Sequence, residues 1–163
     1  MKKPVQDALN AQIGKELYAA HLYLAMAAYF EHKNLRGFAH WMRVQNQEEV
    51  GHAMRIFEFM NDNGGRVVLD GIDKPPMEFK GPLEVMRQAL EHEQGVTKSI
   101  NQLYELAQKE KEYPAQLMLQ WFIDEQVEEE RQASDVIARL DLAGDSAPAL
   151  LMIDKELGAR GPE

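Results

Sequence analysis

The sequence predicts an all-α protein: an antiparallel four-helix bundle with a long crossover between helices two and three, plus a short C-terminal fifth helix. Three observations carry this. Proline and glycine are confined to a few places, leaving four stretches of roughly 28 residues, about 40 Å each at helical rise. Apolar residues within each stretch recur at alternating steps of three and four, as on the core face of a bundle. Two of the three connections between the long stretches are short, and the middle one runs to about 18 residues.

Helix one is placed at residues 5–33, where the only breaker is Gly14. Helix two is placed at 37–63, with Gly51 inside it. The run NGGRVVLDGIDKPPMEFKGP that follows is rich in breakers, and its one strand-like piece, Val67 to Leu69, is too short to count as an element. Helix three is placed at 83–111. Pro114 follows a short charged turn and suits a helix first turn, so helix four is read at 115–143. Gly144 to Pro148 breaks the pattern, and 149–157 forms the last helix. The tail GARGPE is expected to fray. Short connections make helices one and two, and three and four, antiparallel neighbours. The middle connection can cross the whole bundle and set helices two and three parallel. Helices this long exceed the usual globular length, so a bundle is their natural home. The chain of 163 residues reads as a single domain, 1–163.

Composition narrows the function classes. A hydrophobic content of 45% suffices for a real core. With no cysteine, disulfides, thiolate metal sites and cysteine nucleophiles are excluded. The net charge of -9 argues against nucleic acid or an anionic membrane as partner. The N-terminus MKKPVQDALNAQ has two lysines and no apolar run after them, so no signal peptide is read. No apolar stretch is long enough to span a bilayer. A soluble, cytoplasmic protein is expected.

The four seams hold the chemistry. Helix one reads Leu9, Ile13, Glu16, Ala20, Tyr23, Ala27, Phe30. Helix two reads Phe38, Met42, Gln45, Glu49, His52, Ile56, Phe59. Helix three reads Met86, Leu90, Glu93, Thr97, Ile100, Tyr104, Ala107. Helix four reads Leu119, Phe122, Gln126, Glu129, Ala133, Val136, Leu140. Every stripe is mostly apolar and carries a carboxylate near its middle. Glu16 and Glu49 stand at comparable distances from the first turn, and Glu93 and Glu129 from the second, so antiparallel packing puts each pair at one level. The chain thus reads as two related helical hairpins. Within QEEVGH, His52 lies one turn from Glu49 on the same face.

Four ionised carboxylates cannot share an apolar core unaided. At an effective dielectric of about 20, each like-charge pair about 4 Å apart costs roughly 4 kcal/mol before desolvation. They take up protons, or cations neutralise them, and four negative charges match two divalent ions. The bland reading, glutamates at a seam edge snorkelling to water, suits any one of them. It does not suit four, one per helix and at one height. An oxygen-rich set with one imidazole and no sulfur favours iron or manganese over structural zinc or copper(I).

Beyond these spacings, the sequence resembles the non-haem ferritins of bacteria and archaea. The resemblance rests on KELYAAHLYL around Glu16, MRVQNQEEVGHAMR around Glu49 and His52, EHEQ around Glu93, LQWFIDEQVEEE around Gln126 and Glu129, and LLMIDKEL in the last helix. It runs from about Asn10 to Leu157, with motifs in family order on all five helices. The di-iron layout of ferritin-like bundles is a known one. The resemblance implies a ferroxidase centre with Glu16, Glu49 and His52 on the first iron, and Glu49, Glu93 and Glu129 on the second, Glu49 bridging and Gln126 close by. It implies a third, weaker iron site from Glu48, Glu125, Glu128 and Glu129, whose QVEEE residues also fit a solvated face. Tyr23 looks like the tyrosine beside the family's centre, and core packing with a hydrogen-bonded hydroxyl fits it equally.

Two departures separate the chain from related groups. Symmetric di-iron carboxylate proteins repeat Glu-x-x-His on the fourth helix, where Gln126 and Glu129 stand here; this disfavours bacterioferritin, rubrerythrin and the di-iron oxygenases. Bacterioferritins carry a haem-ligating methionine between the Glu and His of helix two, where this chain has Val50, so no haem is expected. Met26, Met54 and Met60 read as packing residues. Trp41 and Trp121 fit either the bundle core or contacts between subunits. The resemblance implies iron storage and detoxification: two Fe(II) ions are oxidised by O2 or H2O2, and ferric mineral is deposited inside a hollow homo-oligomeric shell of twenty-four subunits. In the family the last short helix lines a pore between subunits. A redox enzyme that retains its iron, and a metal-free helical interaction protein, are the alternatives from other classes.

Overall fold

The computed structural model of the chain describes residues 1–161. The described residues form five helices and no strand: α1 (Lys3–His32), α2 (Arg36–Asp62), α3 (Pro82–Glu110), α4 (Tyr113–Ala143) and α5 (Ala147–Leu157). α1 packs along α2 and α3 along α4, α1 joins the two pairs, and α5 lies across α2 and α4. The crossover 63–81 runs without regular structure along α1. Gln6 Oε1 accepts from Arg66 N at 2.9 Å, and Asn10 bridges Arg66 O and Val68 N. Phe79 buries its ring against Tyr29 near the end of the crossover.

All five helices start one or two residues before the sequence-based bounds, and for four of them the reason is proline. Pro4, Pro82, Pro114 and Pro148 each sit in a first turn, where the missing N–H has no intrahelical partner to lose and the fixed φ is already helical. Helix ends have local causes too. Asn34 and Lys111 adopt left-handed backbone at φ 59° and 57°. Leu35 N then donates back to Phe30 O, and Glu112 N to Ala107 O, closing the last turn.

The buried faces follow the predicted stripes on α1 and α4 without exception. On α2 the end of the stripe shifts: Met60 is fully buried and Phe59 only partly. On α3 the core takes Ala89, Val96 and Leu103, while Leu90, Thr97 and Tyr104 sit half-buried at its edge. Met26 and Met60 are packed away completely, but Met54 is exposed, which corrects its reading as a packing residue. Trp41 is buried and Trp121 half-buried.

The core is divided in two. One apolar cluster holds Tyr23 to Phe30, Phe38 to Met42, Val85 to Ala89 and Ala133 to Leu140. The other holds Val5 to Ile13, Ala53 to Met60, Val96 to Ala107 and Ala115 to Phe122. Between them lies a belt of buried polar residues: Gln12, Glu16, Gln45, Glu49, His52, Glu93, Gln126 and Glu129. Apolar packing at both ends holds the four backbones in register, and the belt takes its geometry from them.

Candidate metal centre

Each of the four long helices contributes to the belt at one level. Glu16, Glu49, Glu93 and Glu129 are all at most 3% exposed, a burial that ionised carboxylates tolerate only when compensated. Glu16, Glu49 and His52 place one ligand atom each within 4.8 Å of one another. His52 Nδ1 lies 3.3 Å from Glu49 Oε2. Glu93 faces this group from α3. The Tyr23 hydroxyl donates to its Oε1, and Gln126 Nε2 donates to its Oε2 at 3.1 Å. Glu129 Oε2 accepts from Gln45 Nε2 at 2.7 Å.

The chain leaves this set short of positive charge. Burial is the largest influence on every carboxyl here, and it favours the neutral acid. Glu16 is pushed up to about 7, an effect offset in part by the Gln12 amide and increased by the nearby Glu93 charge. Glu129 is pushed up to about 8 by burial and then by Glu93. Burial holds Glu49 well above the usual carboxylate range, reinforced by Glu93, Glu16 and Glu129. Glu93 is also raised by burial, though the Tyr23 and Gln126 donors work against the rise. His52 is lowered to about 4 by burial and by Arg55, so at neutral pH it is an uncharged imidazole with a lone pair to offer. Glu16 Oε2 is buried without a hydrogen-bond partner. A buried acceptor with no donor, a neutral imidazole and carboxylates that repel one another are what a divalent cation would satisfy. The donor set fits a hard or borderline metal such as iron.

A second group adjoins the first. His52, Glu125 and Glu129 also bring ligand atoms within 4.8 Å of one another, with His52 Nε2 at 3.7 Å from Glu125 Oε1. Glu48, His52 and Glu125 line a cleft of about 430 Å³ between α2 and α4, rimmed by Arg55 and Trp121. Arg55 stacks on Trp121 at 3.9 Å, and the indole packs edge-on against His52. Glu48 and Glu128 stand apart from this triad: Glu48 Oε2 is paired with Arg160 at 2.8 Å, and the half-exposed Glu128 pairs with Arg131, also at 2.8 Å. Val50 is exposed on the outer side of α2.

Several residues of the site were not singled out in the sequence. Gln12 lies one turn before Glu16 and donates to its Oε1 at 2.7 Å, a spacing that could have pointed to it. Gln45 was placed on the seam but not beside a ligand. Arg160 carried no signal at all, because it follows the last helix. The tail expected to fray is docked as far as Arg160, while Pro162 and Glu163 lie outside the described residues.

Fold and belt together define a four-helix bundle with a buried carboxylate belt whose residues could hold metal. Comparison with known proteins makes the class specific. The ferritin-like domain model of the ferritin family matches residues 6–143. A bacterial non-haem ferritin of Bacteroides fragilis is 39% identical over 98% of this chain and 99% of its own. One of Staphylococcus haemolyticus is 41% identical over 98% and 96%. Among solved structures, an open-pore ferritin of the hyperthermophilic archaeon Archaeoglobus fulgidus superposes at a TM-score of 0.98 with 46% identity, covering 99% of both chains. A closed form of Archaeoglobus fulgidus ferritin, engineered by site-directed mutagenesis, also gives 0.98, with 47% identity over 100% of this chain and 99% of the other. The chain belongs to the ferritin family.

Proposed function

We propose that the protein stores iron and detoxifies it, oxidising Fe(II) at the belt and passing Fe(III) to a mineral inside a hollow homo-oligomeric shell. The observation that carries this reading is the set of four buried carboxylates and one neutral imidazole, level with one another and short of any matching positive charge. Glu16, Glu49 and His52 would hold one Fe(II); Glu49, Glu93 and Glu129 the other, with Glu49 shared. Gln126 is neutral where a carboxylate would bind harder, so the second ion is held less firmly and leaves more readily. Iron here is substrate, and each Fe(II) gives up one electron. With O2 as oxidant, two electrons and two protons leave as H2O2; with H2O2 as oxidant, they leave as two waters.

The residues around the ligands have separate tasks. Gln12, Gln45, Gln126 and the Tyr23 hydroxyl each fix one carboxylate oxygen, so the metal-facing lone pairs are aimed before an ion arrives. Protons held by Glu16, Glu49 and Glu129 must leave as iron enters, which couples loading to pH. Carboxylates favour Fe(III) over Fe(II), because the more highly charged ion gains more from them. Glu125 and Glu129, joined by Glu48 and Glu128, would form the third, weaker site on the way out.

Storage needs a container, and a single bundle has none. The container proposed is the one the family resemblance implies, a shell of twenty-four copies with α5 beside a pore between subunits; the open-pore ferritin among the similar structures supports a pored assembly. Among the described residues no helix is long and apolar enough to cross a membrane, in keeping with a cytoplasmic role. The test is anaerobic loading with Fe(II) beyond two ions per chain, then oxygen, then sizing of the product. An iron-filled particle of shell mass is expected. Iron that stays stoichiometric, or a light-scattering mass near one subunit at all salt concentrations, would overturn the storage reading. Glu49→Ala or His52→Ala variants that oxidise Fe(II) at the wild-type rate would overturn the site.

A further inference from the structure

Arg160 lies beyond the last helix, yet only 12% of its side chain is exposed. One guanidinium nitrogen donates to Glu48 Oε2 at 2.8 Å, and another to Gln45 Oε1 at 2.5 Å. The guanidinium also sits over the Trp41 ring at 4.8 Å, and its backbone carbonyl is 2.7 Å from His40 Nε2. The same Gln45 donates its amide to Glu129. Arg160 is therefore one side chain, Gln45, removed from a carboxylate of the centre and directly paired with a carboxylate of the adjoining cleft.

Its position is built into the fold. α5 crosses the start of α2 at Gly37, where a Cβ would lie 1.5 Å from Asp154 O, and Asp154 Oδ1 accepts from Phe38 N at 3.0 Å. Only glycine at 37 permits this approach. A Cβ added at Gly158 would, in turn, lie 3.4 Å from Gly37 Cα, so the two backbones run side by side here. The chain leaving α5 is clamped to α2 two residues before Arg160, which delivers the guanidinium to Glu48.

We infer that Arg160 is the protein's own counter-ion at Glu48, in competition with a divalent cation held in the cleft by Glu125 and Glu129. A cation recruits Glu48 only by displacing the guanidinium from it. A fixed positive charge beside the cleft and a carboxylate already engaged both keep the ion there weakly held, so that it moves on. Displacement of Arg160 also removes its two side-chain bonds to α2, at Gln45 and Glu48, linking cation occupancy to the hold on the chain after α5. Arg160 touches no metal ligand of the di-iron set, so it is a positioning residue. The inference rests on the metal-centre reading above.

The test uses Zn(II), which does not change oxidation state, titrated calorimetrically into the assembled metal-free protein. Arg160→Gln should tighten the weakest Zn(II) event about tenfold, the scale of one lost charge pair, and leave the tighter events within about twofold. Arg160→Lys, which keeps the charge, should return the weak event towards wild type. Glu48→Gln should weaken that event in either background. Hydrogen exchange gives an independent readout. In wild type, the amides of Gly158, Ala159 and Arg160 should exchange faster once Zn(II) exceeds the tight sites. An unchanged or weaker event in Arg160→Gln, or tail exchange that ignores the added Zn(II), overturns the inference. In that case, tight binding abolished by Glu49→Ala would still uphold the metal centre. A wild-type chain that binds no Zn(II) overturns both.

Discussion

Replacing Glu16 with glutamine should make the metal-free protein more stable while spoiling its centre, and the size of the gain follows from burial. Glu16 is fully buried, and its carboxyl titrates near 7 in the fold against an ordinary 4.5. At pH 8 the folded chain must hold it ionised, at a cost of roughly 3 kcal/mol relative to the unfolded chain. The sign is that of a raised acid: its neutral form supports the fold fully below pH 4.5, and that support is lost as pH rises through 7. Glutamine has nearly the same shape and no charge. Its carbonyl still accepts from Gln12, and its amide supplies a donor on the side where Glu16 Oε2 has none. Part of the strain is shared with Glu49, which can take up a proton instead, so the expected gain at pH 8 is about 1 to 3 kcal/mol. For a chain of this size that is a rise of roughly 2 to 10 °C in melting temperature. The assay is calorimetric melting of metal-free wild type and Glu16→Gln at equal concentration, at pH 8 and pH 4.5, repeated with Zn(II). The gain should shrink towards zero at pH 4.5. With Zn(II) the order should reverse, because only the wild type offers the full ligand set. No gain at pH 8, or an equal gain at both pH values, would refute the claim that buried charge at Glu16 is what destabilises the metal-free fold.

Three further outcomes are expected. Because Glu16 and Glu129 hold protons up to about 7 and 8, Zn(II) affinity should fall roughly tenfold per pH unit as pH drops from 8 to 6, with proton release visible as buffer-dependent heats in calorimetry. Tyr23→Phe removes the hydroxyl that donates to Glu93, so the Glu93 carboxyl should rise further. The second Zn(II) should then bind more weakly, and the metal-free fold should lose about 1 to 3 kcal/mol at pH 8 in denaturant melts. Gly37→Ala drives a methyl into Asp154 O and should loosen α5, which limited proteolysis would show as early cleavage after Lys155 with α1 to α4 still protected.

The long helices were legible because four stretches each repeat an apolar stripe with one acidic interruption, and periodicity is the strongest signal a sequence carries. The centre was legible for the same reason: a glutamate on a core stripe contradicts its position, and four such contradictions at one height point to a common cause. α3 was harder. Leu90, Thr97 and Tyr104 lie next to Ala89, Val96 and Leu103 on the helix surface, and both sets form an acceptable seam. Only the partner helices decide between them, and they favour the smaller and branched side chains on the axis. Helix starts fall one or two residues before the expected bounds, in α1, α3 and α5 because Pro4, Pro82 and Pro148 belong inside the first turn, the place already expected for Pro114. Arg160 was illegible because its role comes from an approach of α5 to Gly37 that no local pattern announces.

His52 explains why the two metal groups are unequal. Its Nδ1 faces Glu49 and its Nε2 faces Glu125, so one ring serves both sides of the belt. A ring lowered to about 4 is neutral at working pH, and a neutral imidazole has one lone pair and one N–H. If Nδ1 ligates an ion beside Glu16 and Glu49, Nε2 carries the proton and turns a donor towards Glu125. The cleft then keeps only Glu125 and Glu129 from its triad, and Glu48 is engaged by Arg160. The same tautomer that completes the buried centre thus depletes the outer group and ties Glu125 to the ring. An ion in the cleft would be held by few ligands as long as the inner centre is full, so the cleft should bind its ion more weakly than the belt does.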